Sequence, residues 1–165
     1  MTREELLRAV APCSMMCHTC PACQGGAMEE TARQLLKYLE GCYEFNDAML
    51  PDEYRGWLDS FSSFQARLEK YTRRSCPTCR QTPENGQGCI EDCPVRVCYQ
   101  EKGVDFCAEC GEFPCEKAKD FFMKRHPVIA ADWENGSLRI RKIGAEAYFE
   151  EKRKISHYDS WKRKE

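Results

Sequence analysis

The chain has 165 residues, 42% hydrophobic and 32% charged, with a formal net charge of −2. Thirteen of the residues counted as hydrophobic are cysteines, so the aliphatic core is modest, and small cores usually need staples. The balance of charge excludes a nucleic-acid signature over the whole chain. No run approaches the ~18 apolar residues of a membrane span.

The first residues, Met1 to Arg8, are charged and lack the apolar stretch of a secretory signal. The chain therefore reads as cytoplasmic, where a reducing environment favours thiolate–metal bonding over disulfides. The odd cysteine count agrees, since complete pairing leaves one over. The cysteines divide a single domain into four stretches: a cluster in 1–25, a helical segment in 26–72, a main cluster in 73–116 and a cysteine-free 117–165.

The first cluster is Cys13, Cys17, Cys20 and Cys23. The spacing of its first three members is the one radical enzymes use to hold an iron–sulfur cluster. The chain is too short for their barrel, Thr19 stands where an aromatic residue is usual, and no glycine-rich cofactor segment follows. The ferredoxin run is absent too. Zinc, or a 4Fe–4S cluster on this trio and a distant cysteine, fits the site.

Met28, Ala32, Leu35, Leu36 and Leu39 follow helical spacing up to Gly41. Pro51 can start a second helix, with Asp52 and Glu53 at its positive end. Tyr54, Trp57, Leu58, Phe61, Phe64, Leu68 and Tyr71 trace one stripe, which reads as core. The lone Cys42 has no partner at ligand spacing and reads as a small buried hydrophobe.

The main cluster holds eight cysteines: Cys76, Cys79, Cys89, Cys93, Cys98, Cys107, Cys110 and Cys115. Two cysteines separated by two residues bite one metal, because the turn between them brings both sulfurs inward. Cys20-Pro21-Ala22-Cys23, Cys76-Pro77-Thr78-Cys79 and Cys107-Ala108-Glu109-Cys110 have that form. Zinc takes four tetrahedral ligands and accepts thiolates readily. Twelve cysteines, all but Cys42, match three four-thiolate sites by count, so two to three zinc ions are expected. Cys115 should open a helix, which lowers a thiol's pKa and suits a ligand or a nucleophile; its ligand-spaced neighbours favour ligand. His18, His126 and His157 lack ligand spacing to one another.

Beyond Cys115 the pattern predicts a helix from Glu116 to His126-Pro127, a turn at Asn135-Gly136, a short helix through Leu138 and Ile143, and a last helix over 145–154. No segment shows sustained two-residue alternation. The expected fold is mainly α, with helices packed around irregular cysteine-rich zinc-binding loops and little or no sheet. Residues 1–115 carry 12 basic and 18 acidic side chains, and residues 116–165 carry 13 and 9. The basic excess at the end can meet nucleic acid but reads first as a solvated helix face.

Several motifs carry a resemblance: Ala11-Pro12-Cys13 through Cys17 and Cys20-Pro21, Cys76-Pro77-Thr78-Cys79-Arg80, and Phe106-Cys107-Ala108-Glu109-Cys110-Gly111-Glu112-Phe113-Pro114-Cys115. They resemble an uncharacterised prokaryotic cysteine-rich family, a domain of unknown function with proposed zinc binding. Asn135 through Ile143-Gly144 is similar to its C-terminal pattern. The resemblance spans most of the chain except about 25–72 and the last ten residues. It implies that Cys13, Cys17, Cys20, Cys76, Cys79, Cys93, Cys98, Cys107, Cys110 and Cys115 are the recurring positions, with Cys23 and Cys89 additional. Ser14 stands where glycine is common.

The resemblance brings no reaction. No His/Glu constellation of the catalytic-zinc kind is visible, and no catalytic residue is assigned. The sequence points to a structural-zinc binding or adaptor module with a protein partner. An iron–sulfur redox protein and a reactive-thiol enzyme or sensor are the competing readings.

Overall fold

A computed structural model describes residues 1–81 and 90–162 of the chain. Helix α1 (Arg3–Ala9) is too short to read from periodicity, yet its start is fully capped. The Thr2 hydroxyl accepts from the Glu5 amide at 3.2 Å, and the Glu5 carboxylate accepts from the Thr2 amide at 2.7 Å. This reciprocal pair satisfies two amides the helix itself leaves free.

Three helices follow the first cysteine loop: α2 (Ala27–Tyr38), α3 (Cys42–Met49) and α4 (Arg55–Tyr71), the last entered through a 3-10 turn at Asp52–Tyr54. Helix α5 (Val95–Glu101) lies inside the main cysteine cluster. Then come α6 (Glu116–Arg125), α7 (Pro127–Ile143) and α8 (Ala145–Lys152). Among the described residues the only β structure is two isolated bridges, Val10 with Met16 and Cys23 with Cys76. The fold is mainly α, as the sequence predicts. No described helix is long and apolar enough to cross a membrane.

The boundary at His126-Pro127 lies where the sequence puts it. His126 is extended, Pro127 opens α7, and the His126 Nδ1 accepts from the Val128 amide at 3.2 Å. The turn expected at Asn135-Gly136 is absent, because α7 runs unbroken to Ile143. Gly136 serves close packing instead. A β-carbon there would stand 2.5 Å from the Ser14 hydroxyl and 2.9 Å from the Tyr148 hydroxyl. The price of a mid-helix glycine, ~1 kcal/mol, admits the loop that carries Cys13.

The core has two adjoining parts. Leu6, Val10, Phe106, Ile140 and Phe149 pack α1 against α7 and α8. Val95, Phe113, Phe122 and Trp133 form the second, with Trp133 fully buried, 5.1 Å from the Phe113 ring and 5.7 Å from Phe122. The stripe on α4 departs from expectation. Leu58 is the buried residue of that helix, while Trp57 and Phe64 are 48% and 45% exposed. Helix α4 meets α2 and α3 along one narrow edge, so half the stripe faces outward.

Candidate metal centre

Four cysteines from three elements line one small cavity together with Tyr99, Val104, Phe113 and Trp133. Cys98 sits within α5, Cys107 and Cys110 bracket a 3-10 turn, and Cys115 caps the start of α6. The turn is built by its own backbone. The Cys110 amide donates to the Cys107 carbonyl at 3.1 Å and the Phe113 amide to the Cys110 carbonyl at 3.2 Å. Glu109 fixes its entry by accepting from the amides of Asp105 and Phe106 at 2.8 and 3.2 Å.

Two arginines hold the thiol loops from outside, and the sequence alone hides both. Arg141 on α7 donates from Nε to the Ala108 carbonyl at 2.6 Å and from Nη2 to the Cys110 carbonyl at 2.7 Å, with its guanidinium 5.0 Å from the Phe113 ring centre. Arg80, next to Cys79, donates to the carbonyls of Leu7 at 2.9 Å and Asp105 at 2.5 Å, between the rings of Tyr99 and Phe106. Their signal in the sequence is no more than a basic residue at a knuckle and another in a basic run.

Burial pushes the Cys107 thiol up to about 11, with the neighbouring Cys115, Cys98 and Cys110 adding to the rise. The neighbouring Trp133 indole N–H opposes this rise. That N–H is buried and has no partner at hydrogen-bond geometry. A neutral thiol accepts weakly, whereas a thiolate matches such a donor. Cys98 is raised by burial and by Cys115 and Cys110, against Lys117 and Lys102. Four thiols are a donor set that zinc accepts by chemistry, although the sulfurs are not gathered around one point here.

A second group forms around a bridge. The Cys76 amide donates to the Ala22 carbonyl at 3.2 Å, and the Gln24 amide to the Cys76 carbonyl at 3.0 Å. This joins the Cys20–Cys23 turn to the start of the next knuckle. Burial, then Cys76 and Cys20, push the Cys23 thiol up to about 11. Cys13, Cys17, Cys79 and Cys93 pack against the Trp133 side of the core. Cys89 lies outside the described residues. Among the described residues, no three His, Cys, Asp or Glu side chains are already close enough around one point to hold a metal ion. The thiols share walls but are not drawn together.

The turn after Cys13 runs through Ser14 at φ +66°, the left-handed region that favours glycine. Its hydroxyl reaches the Trp133 carbonyl at 3.2 Å, and its carbonyl accepts from the Tyr148 hydroxyl at 2.9 Å. Burial, and to a lesser degree Cys13, push that phenol up to about 12. A wider cleft of about 660 Å³ lies between this loop, α7, α8 and residues 155–161. Several of its polar groups are already engaged: Arg139 with Glu151, Asp132 with Ser160, and His157 Nδ1 2.9 Å from the Met16 carbonyl.

The remaining candidates stand apart. Cys42 opens α3 with the Asn46 amide 3.4 Å from its sulfur. His18 packs edge-on to Phe149, and His126 lies against Trp161. In the basic C-terminal stretch, Arg139, Arg153 and Lys162 pair with Glu151, Glu150 and Asp159.

A family model described as a protein of unknown function (DUF3795) matches residues 9–120. No curated protein and no solved structure matches the chain.

Proposed function

We propose that this chain, which belongs to the DUF3795 family, is a zinc-binding protein whose four-thiolate sites are structural and whose role is that of a binding or adaptor module. One observation carries the reading. Cys98, Cys107, Cys110 and Cys115 line a single cavity beside a buried indole N–H that has no hydrogen-bond partner. These four residues would hold one ion. The Cys20, Cys23 and Cys76 group would contribute to a second, with Cys13, Cys17, Cys79 and Cys93 supplying further thiolates. Bound zinc would supply cross-linking and folding free energy, since metal binding to thiolates is coupled to folding. The chain's own residues position the sulfurs: the Trp133 N–H would donate to a Cys107 thiolate, while Arg80 and Arg141 anchor the loops.

The basic C-terminal stretch supports nucleic-acid binding poorly, because three of its cations are paired with carboxylates of the same segment. Elemental analysis of untagged protein purified without added metal tests the proposal. We expect about two to three zinc equivalents per chain and no visible absorbance. Stoichiometric iron with a broad band at the blue end of the visible would replace zinc by a cluster on the Cys13, Cys17 and Cys20 loop.

A further inference from the structure

Residues 38–64 carry an unusual surface. Tyr38, Phe45, Met49, Tyr54, Trp57 and Phe64 stand exposed on and beside α3 and α4, with Tyr38 and Met49 at 75% and 67%. Helix α3 buries none of its residues, and α4 buries Leu58. Tyr54, Trp57, Phe61 and Phe64 recur at three- and four-residue steps, so they share one face about 15 Å long. Trp57 stacks on Phe61 with ring centres 5.5 Å apart. Phe45 and Met49 lie one turn apart on α3, which an ion pair between Asp47 and Arg55 fastens to the start of α4. An exposed apolar area of this kind marks an interaction site rather than a solvated face.

Charge decides what covers it. Over residues 38–64, Glu40, Glu44, Asp47, Asp52, Glu53 and Asp59 outnumber the single cation Arg55, a net of −5. The same face on a second copy would meet like charge, and nucleic acid or an anionic membrane would be repelled for the same reason. A strand addition has no sheet edge to extend among the described residues. We infer that this face binds a basic amphipathic helix of a protein partner, whose apolar side lies along Tyr54, Trp57 and Phe64 and whose Lys/Arg rim meets the carboxylates. The inference rests on the adaptor reading above and names its partner class.

The test uses the full chain and a fluorescent synthetic peptide of about 18 residues, Leu and Lys at helical spacing, read by anisotropy. Saturable one-to-one binding is expected, weakening as salt is raised. Trp57→Ser with Phe64→Ser should weaken it by roughly tenfold or more, as removal of buried aromatic anchors does. Asp52→Lys with Glu53→Lys should weaken it too, and circular dichroism should show both variants folded. The matched Leu/Glu peptide should not bind. The inference is overturned if the aromatic substitutions leave affinity unchanged, if a basic proline-rich peptide binds as tightly, or if the free chain is a stable dimer that shields Trp57. Metal content is measured on the same samples. Zinc-loaded protein that ignores the peptide sinks this surface and leaves the metal reading intact. Peptide binding by metal-free protein does the reverse.

Discussion

Arg80 and Arg141 organise the cysteine loops through backbone carbonyls rather than through acids. Each planar fork reaches carbonyls of separate residues, Leu7 and Asp105 for one, Ala108, Cys110 and Phe113 for the other. A lysine keeps the charge but cannot span these acceptors together. Arg80→Lys should therefore lose about 2 kcal/mol and Arg141→Lys about 1 kcal/mol, the difference following the deeper burial of Arg80. Denaturant midpoints measure the loss, and chelator competition should show weaker metal retention in both variants. Equal stability and retention to the parent would mean the arginines only decorate the loops. The cysteines beside them were legible because ligand spacing is local. The arginines were not, since a carbonyl thirty or seventy residues away leaves no mark at the arginine itself.

At the scale of the element, α4 separates pattern from burial. Its apolar positions fall at helical spacing, so its existence is legible from the sequence. The stripe predicted as core is nevertheless split, because α2 and α3 cover one edge of it. Leu58, 1% exposed, should cost about 2–5 kcal/mol as Leu58→Ala. Phe64→Ala should change stability by no more than about 0.5 kcal/mol, as exposed substitutions do. Chemical denaturation of the two variants distinguishes them, and a large loss at Phe64 would place that ring in the core after all. Helix α7 teaches the converse. Asn135-Gly136 is a turn signal in isolation, but the approach of Ser14 and Tyr148 makes a mid-helix glycine the residue that fits.

For the whole molecule, the thiol loops and the helical core are one packing unit on one side and separate on the other. Phe113, Val95 and several cysteines share the cluster around Trp133, whereas α2 to α4 bury little against it. On the proposed zinc reading, removing the metal should thus loosen the cysteine loops and open the Trp133 pocket while α4 persists. Tryptophan emission should shift to the red on chelation, since Trp133 is fully buried while Trp57 and Trp161 are already half exposed. Limited proteolysis should cut first between Thr78 and Phe113, with much of the helical circular dichroism retained. Unchanged emission and protease resistance in demonstrably metal-free protein would refute the structural role of the metal.

The sequence by itself determined the mainly α character, most helix boundaries from residue 116 onward and the family, because periodicity, proline punctuation and cysteine spacing are short-range properties. It also marked which cysteines are ligand-spaced and which, Cys42, is apart. Tertiary structure alone decided that Cys98 joins Cys107, Cys110 and Cys115, and that Cys76 crosses to Cys20 and Cys23. It also turned half the α4 stripe outward. Each of these depends on where segments far apart in the chain come to rest. That is set by the joint packing around Trp133 and Leu6, and no window of neighbouring residues encodes it.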